Sequence, residues 1–347
     1  MGLVLGLALA LWGLGALMKV SAWVRWGMIG ALYAGVLAVQ LTLPAAHPLR
    51  TALGGTPEGW AALGVAAGLA LAYRMGLGAL RRRARQPAPE PTQPGPFRPA
   101  ELDRYARHIV LREIGGPGQR RLKQARVLVI GAGGLGSPAL LYLGAAGVGN
   151  LGVIDDDIVS NSNLQRQVIH TDARIGMPKV FSAAEAIAAQ NPFVTVRPYN
   201  RRLDEAVARV LFAEHDLILD GSDNFTTRYL VNRVAAELGK PLIAAAMSQW
   251  EGQISLYDPA RGTPCYACVF PQAPAPGLAP SCAEAGVLGP LPGVMGAMMA
   301  LEAVKALTGA GEGLRGRMLI YDALQGETRV IGLKRRPGCA VCGAGSA

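Results

Sequence analysis

Hydropathy divides the chain into two materials. Charged residues nearly vanish from Gly2 to Leu80, where three apolar stretches, Gly2 to Met18, Trp26 to Leu43 and Gly59 to Leu80, follow one another with tryptophans near several of their ends. A helix of about 20 apolar residues crosses about 30 Å of hydrocarbon, and interfacial tryptophans anchor such helices, so the pattern predicts three transmembrane helices. The first stretch is at the short limit and has no basic leading segment. That argues against a cleaved leader and leaves a signal anchor or an interfacial helix as alternatives to a span. Arg74 fits the third only if its side chain snorkels or the span ends near Tyr73. Lys19 and Arg25 lie between spans one and two, and Arg81, Arg82, Arg83 and Arg85 follow span three. Basic loops stay in the cytoplasm, which places the N-terminus and the Pro44 to Glu58 loop outside and the rest of the chain inside.

The second material begins after a proline-rich tether. Residues 86–98 carry Pro87, Pro89, Pro91, Pro94 and Pro96, and such a segment is extended rather than helix or central strand. The reading is therefore a transmembrane region over 1–85, a linker over 86–98 and one α/β domain over 99–347. In the last, apolar strand-like runs alternate with helix-like ones: Val127 to Ile130, Leu151 to Ile154, Leu217 to Asp220 as a third strand, Leu242 to Ala246 and Gln253 to Tyr257, with Arg317 to Tyr321 and Thr328 to Leu333 closing. Pro292 to Leu307 is apolar too, but Glu302 and Lys305 interrupt it and it has 16 residues, so it is expected to be a core helix facing the domain or a second copy.

Charge adds little to this division. The net charge is +10, yet nine Lys/Arg against two Glu in the first 100 residues account for most of it. A basic flank at a membrane explains the balance, and nucleic-acid binding is not indicated.

The candidate chemistry is concentrated between Val127 and Lys179. Gly131, Gly133, Gly134 and Gly136 form a loop between an apolar strand and the helical pattern Ala139 to Leu143. Glycines there let the backbone turn and approach a phosphate, and the following helix offers free N–H groups. Asp155, at the end of the next strand, stands where a ribose hydroxyl is bound. NAD-dependent dehydrogenases share that much. The residues beyond Asp155 do not fit hydride transfer: Asn163 and Arg166, then Lys179, then Asp223 in Gly221-Ser222-Asp223-Asn224. Cations beside a pyrophosphate and a carboxylate for magnesium suit the breaking of a phosphoanhydride. His170 has no partner identifiable in the sequence and is expected to be a surface or packing residue.

These residues resemble the MoeB/ThiF/HesA family of ubiquitin-activating-like adenylyltransferases, nearest to MoeB. The resemblance runs from Leu102-Asp103-Arg104-Tyr105 to Cys342 and includes Ala146 to Leu151, Glu251-Gly252-Gln253, Glu284 to Val287 and Pro337-Gly338-Cys339. It implies a Rossmann-like ATP-binding domain with a mixed sheet and a structural zinc, ATP and Mg2+ as ligands, Asp155 on the ribose, Asn163, Arg166 and Lys179 around the triphosphate, and Asp223 on the metal. It also implies that Arg107 reaches into a second subunit of a homodimer. His108 stands where the family commonly has glutamine. The implied reaction is adenylylation of the C-terminal carboxylate of a small ubiquitin-fold sulfur carrier ending in Gly-Gly. The implied carrier is the molybdopterin synthase small subunit, with the thiamine-pathway carrier as runner-up. A carboxylate already ionised at neutral pH needs no general base, so Arg107, Arg166, Lys179 and Asp223 would carry catalysis by positioning and charge neutralisation. A membrane docking module without turnover is the alternative from another class.

Four of the five cysteines form two Cys-x-x-Cys clips, Cys265/Cys268 and Cys339/Cys342. Two clips are the usual framework of a structural zinc, with a redox pair or two disulfides as alternatives. Cys282 is left over, after the Pro271 to Pro280 stretch. It reads either as an acceptor for the activated carboxyl or as an unreactive loop thiol.

Overall fold

The computed structural model describes residues 2–85, 95–275 and 285–343. The proline-rich segment 86–94 and Cys282 lie outside the described residues. The chain divides into two compact units, Met1–Thr92 and Gln93–Ala347.

The first unit is helical: α1 (Gly2–Leu17), α2 (Ala22–Thr42), α3 (Pro48–Leu53) and α4 (Pro57–Arg85). Its small core is Val4, Val36 and Trp60, while leucines such as Leu5, Leu9, Leu14, Leu41, Leu69 and Leu71 face outward. An outward apolar surface of that extent suits hydrocarbon rather than water. α2 and residues Pro57–Leu80 of α4 are long and apolar enough to cross a membrane, whereas α1 has 16 residues, an axial length of about 24 Å. The α2–α4 connection contains a helix that the hydropathy pattern did not predict. Arg50 fastens it by donating to Gln40 Oε1 at 3.1 Å and to the Leu43 carbonyl at 2.9 Å, while Trp60 Nε1 donates to the Gly54 carbonyl at 2.9 Å. The one arginine of this loop is thereby absorbed into backbone and amide partners.

The second unit is built on one eight-stranded sheet. After α5 (Pro99–Ile109) and α6 (Gly115–Gln124) come β1 (Arg126–Ile130), α7 (Gly136–Ala146), β2 (Asn150–Asp155), α8 (Lys179–Gln190), β3 (Thr195–Asn200), α9 (Glu205–Glu214), β4 (Leu217–Asp220), α10 (Phe225–Glu237), β5 (Leu242–Met247) and β6 (Glu251–Tyr257). The short α11 (Tyr266–Val269), α12 (Pro290–Thr308), β7 (Arg317–Asp322) and β8 (Glu327–Gly332) follow. The strand order is β3-β2-β1-β4-β5-β6-β7-β8, parallel through β5 and antiparallel beyond it. This is the expected α/β fold with a mixed sheet. Central parallel strands are covered on both faces, which is why Val127 to Ile130 is an unbroken apolar run buried throughout.

Leu217–Asp220 is the fourth strand, not the third. The strand missed is Thr195–Asn200, an edge strand carrying Pro198 and exposed polar positions, which an edge tolerates and which conceal it in sequence.

α12 packs on α7, β5 and β6, with Leu291, Met295, Met299 and Ala303 buried. Although apolar enough to cross a bilayer, half of it is inside the unit, as a core helix should be. Buried Glu302 accepts from Lys305 Nζ at 2.6 Å and from the Leu314 N–H at 2.8 Å, so its charge is compensated. Gly296 sits against the Leu135 carbonyl and the Pro138 ring, with no room for a Cβ, whereas Gly293 on the same helix faces open space. Gly296→Ala is therefore expected to destabilise this unit by about 1–3 kcal/mol through overpacking. Gly293→Ala, gaining helix propensity, is expected to leave stability unchanged or raise it by up to about 1 kcal/mol. Thermal unfolding of the two variants side by side checks this.

Candidate functional site

The strand order reverses at β1, whose neighbours are β2 on one side and β4 on the other. Connections leaving the carboxyl ends of β1 and β4 diverge to opposite faces, and ligands of such sheets bind in the crevice between them. A cavity of about 410 Å³ lies there, lined by Gly131, Gly133, Gly134, Asp155, Asp157, Arg166, Gln167, Lys179, Ser222 and Asp223, with Arg201, Arg202 and Leu203 along one wall.

The loop after β1 requires glycine at two of its positions for separate reasons. Gly131 has φ +88°, in the left-handed region. Gly136 opens α7 directly against the Gly131 carbonyl, where any Cβ would collide. Asp155 Oδ2 accepts the Ala132 N–H at 2.7 Å and Oδ1 accepts the Asp157 N–H at 2.9 Å. Each oxygen keeps a second lone pair, and the carboxylate lines the cavity, so it can accept a ribose hydroxyl without giving up the loop.

Lys179 opens α8 and is buried, with Nζ 2.7 Å from Asp157 Oδ2. An ammonium at a helix N-terminus opposes the positive end of the helix dipole. The carboxylate of Asp157 offsets this, and a phosphate in the same place would offset it further. Arg166 follows a short 3-10 turn, Asn161–Asn163, and donates to the Ser162 carbonyl at 2.9 Å. Asn163 does not line the cavity. Its Oδ1 accepts the Ser160 N–H at 3.3 Å, closing the turn that carries Arg166. Asp223 is exposed at the rim, on the turn between β4 and α10. Arg107, in the last turn of α5, is exposed and is not among the residues lining this cavity. Beside it His108 Nδ1 lies 3.2 Å from Gln119 Oε1, and Gln119 Nε2 donates to the Ala146 carbonyl at 2.8 Å. At this position the imidazole fastens α5 to α6.

Three groups are not apparent from the sequence. Arg228, buried on α10, donates to the carbonyls of Ser222 and Ala245 and stands 3.9 Å from the buried carboxylate of Asp220, whose Oδ1 accepts the Ser222 N–H at 2.9 Å. This pair sets the turn that presents Asp223; removing one partner of such a buried pair costs about 3–5 kcal/mol. Arg201 and Arg202 follow the missed strand β3. His170, expected to be a surface or packing residue, is buried and bonded through both ring nitrogens, with Nδ1 2.9 Å from Ser182 Oγ and Nε2 3.0 Å from the Ala132 carbonyl. For Arg228 the nearest sequence signal is the apolar run Tyr229 to Val231 beside it; Arg201, Arg202 and His170 carry none.

The two cysteine clips meet. Cys265 and Cys339 sulfurs are 3.6 Å apart, Cys268 and Cys342 3.4 Å, and Cys265 and Cys268 3.9 Å. Zinc bound tetrahedrally to four thiolates at about 2.3 Å separates its sulfurs by about 3.8 Å, so this cluster fits the ion. Burial pushes the Cys265 thiol up, and Cys342 is raised for the same reason. Burial also acts on Cys339, but N–H groups of Cys342 and Val341 outweigh it and bring that thiol down to about 6. One donor set thus contains a ready thiolate beside thiols that need a cation to ionise. Asn232 Nδ2, 3.8 Å from Cys265 Sγ, joins the cluster to α10.

A model of the ThiF family matches residues 105–341. The chain is 49% identical over 245 residues to the SAMP-activating enzyme E1 of Haloferax volcanii, covering 71% of this chain and 90% of that one. It is 49% identical over 247 residues to the sulfur carrier protein adenylyltransferase of Thermus thermophilus, covering 70% and 91%. With the adenylyltransferase and sulfurtransferase MOCS3 of Bos taurus it shares 48% over 258 residues, 73% of this chain and 56% of that protein. Among solved structures, E. coli MccB with MccA-N7isoASN superposes with a TM-score of 0.62 at 23% identity, over 69% of this chain and 74% of that one. PaaA superposes with a TM-score of 0.61 at 23% identity, over 76% and 82%. These two likenesses concern the fold.

The sulfur geometry generates its own test. One zinc per chain is expected by atomic emission from the full-length protein, and Cys265→Ser should lower both the zinc content and the unfolding temperature. A metal-free wild type of unchanged stability would exclude a zinc role for the cluster.

Proposed function

Because the chain belongs to the ThiF family, we propose that it is a nucleotidyltransferase that uses ATP to adenylylate the C-terminal glycine carboxylate of a small ubiquitin-fold sulfur carrier. The molybdopterin synthase small subunit is the first carrier in this reading and the thiamine-pathway carrier the second. The observation that carries it is the convergence of Asp155, Arg166, Lys179 and Asp223 on one cavity at the switch point of the sheet, in a chain about half identical to a sulfur carrier protein adenylyltransferase along nearly that protein's whole length.

The chemistry asks little of acid–base groups. A carboxylate oxygen of the carrier attacks the α-phosphorus, the bond from that phosphorus to the bridging oxygen breaks, and pyrophosphate leaves with its electron pair. Asp155 orients the ribose. Arg166 and Lys179 offset the charge gathering on the departing phosphates, which is the main catalytic contribution where the transition state gains anionic character outside the reacting bond. Asp223 would hold magnesium, which when bound would supply Lewis-acid stabilisation of the leaving group. Arg107 enters this scheme from a second copy of the chain, consistent with its exposure on α5. Cys282, outside the described residues, is not needed for adenylation.

For the first unit the reading is a tether: α1, at the short limit, α2 and α4 span the cytoplasmic membrane, and the ATP-binding unit lies in the cytoplasm. The outward leucines and the basic residues flanking the helices support it. The domain division is 1–85, 86–98 and 99–347.

Full-length protein in detergent, with magnesium and one Gly-Gly-ending carrier at a time, is expected to exchange labelled pyrophosphate into ATP. Arg166→Ala and Asp223→Ala should each lower that rate by at least about 100-fold. No exchange with any carrier would favour the docking module instead. The shared site has a separate signature: a mixture of inactive Arg107→Ala and inactive Arg166→Ala chains should recover part of the wild-type rate, since a mixed dimer contains one intact site. No recovery after verified subunit exchange would sink the trans role of Arg107.

A further inference from the structure

The peptide between Ala132 and Gly133 is held in a way the reaction scheme does not use. Its carbonyl accepts from His170 Nε2 at 3.0 Å and from Ser137 Oγ at 3.2 Å, while the preceding N–H, that of Ala132, is held by Asp155 at 2.7 Å. In a trans peptide the C=O and the next N–H point in opposite directions. Whatever fixes the Ala132 carbonyl therefore aims the Gly133 N–H the other way. Gly133 lines the cavity, and among the described residues no acceptor takes its N–H. His170 belongs to the segment between β2 and α8 that also carries Arg166 and Gln167, so one imidazole links the cation-bearing segment to the glycine loop.

We propose that His170 is a positioning residue of the nucleotide site: by holding the Ala132 carbonyl it presents the Gly133 N–H to a phosphate of the bound nucleotide. The inference rests on the ATP-site reading above and adds to it a group that never touches the reacting atoms. The tautomer is set by the partners. A carbonyl can only accept, so Nε2 carries the proton and Nδ1 accepts from the Ser182 hydroxyl. A second proton would sit on Nδ1 and require Ser182 to turn and accept instead. Burial holds the imidazole pKa down, with the cations of Lys179 and Arg174 acting in the same direction and the Ala132 carbonyl and Asp155 opposing them. Lys179 comes from α8, Arg174 from the turn before it and Asp155 from β2, with Asp157 facing Lys179. As the pH falls below that lowered value, a charged ring disturbs the Ser182 contact and with it the loop. Nucleotide affinity should therefore carry an acid limb that belongs to His170.

The test is ATP binding by the full-length protein in detergent, measured by calorimetry from pH 5 to 8. Wild type is expected to bind ATP with affinity falling toward acid. His170→Ala should raise Kd about tenfold at pH 7.5, the worth of one lost hydrogen bond. His170→Gln can reach the same carbonyl with its amide N–H but does not titrate; it should restore most of the affinity and flatten the acid limb. Titration of ATP's own phosphate is common to both proteins and cancels in the comparison. Wild-type affinity in a folded His170→Ala chain, or an unchanged acid limb in His170→Gln, would overturn the inference while leaving the ATP site standing. If the alanine chain does not fold, the glutamine comparison decides alone. Wild type that fails to bind ATP at all would overturn the site reading and this inference together.

Discussion

The nucleotide-binding unit depends on how closely α7 can approach the end of β1. A Cβ at Gly136 would collide with the Gly131 carbonyl, so the helix closes tightly on the turn that leaves the strand. That close fit brings the N-terminus of α7 beside the carboxyl end of β1. The same turn is pinned laterally: the Gly131 N–H donates to the Ile154 carbonyl of β2, and the Gly221 N–H to the Ile130 carbonyl of β1, both at 2.9 Å. Three strand ends are thereby locked at one level, and the positions of Asp155, Asp220 and the glycine loop are set by the lock. A side chain at position 136 would displace the helix first and every ligand-facing group after it.

Around that frame the charges are arranged in a deliberate imbalance. Asp220 and Arg228 neutralise one another below the β4 turn, and neither is available to a ligand. Lys179 is paired as well, but with an Asp157 whose carboxylate is 70% exposed, at a helix N-terminus that already favours an anion. Water screens such a half-exposed pair. The lysine is thus ordered before any nucleotide arrives, without being fully neutralised. Among the described residues Arg166 is held through the Ser162 carbonyl and faces no carboxylate. Cations ordered in this way are preorganised for an anion in the cavity.

Local chemistry decides what is legible in the sequence. The glycine loop, Asp155, the cations and the cysteine clips are visible because each depends on residue type at fixed spacing, and the structure brings all but Arg107, Asn163 and Gly136 to the cavity or the sulfur cluster. Asn163 does not line the cavity; its Oδ1 accepts the Ser160 N–H and closes the turn that carries Arg166. β3 is hidden by Pro198, which only an edge strand accepts. His170, Arg228 and Arg202 are illegible for a different reason. His170 meets Ala132 from 38 residues away, Arg228 joins the turn after β4 to Ala245, 17 residues away, and Arg202 acts only as a wall of the cavity; no local pattern encodes such meetings.

Composition alone does not separate a membrane helix from a core helix, and α12 shows what does. It is as long as a span and nearly as apolar as α2, yet half of it is buried in the unit, while α2 and α4 keep almost all of theirs on the outside. The difference lies in how each helix treats its exceptions. In α12 a carboxylate is buried and compensated by Lys305 and the Leu314 N–H, and a glycine is placed where another helix must come close. Both are provisions for protein neighbours. In α2 the exceptions cluster at the ends: Arg25 lies over the Trp12 ring at 4.6 Å, and Gln40 receives Arg50 at the opposite end. Between those ends α2 is apolar apart from Tyr33, whose hydroxyl donates to the Trp60 carbonyl of α4 at 2.6 Å. The first unit thus differs from α12 in the position of its few polar side chains, more than in the number of its apolar ones.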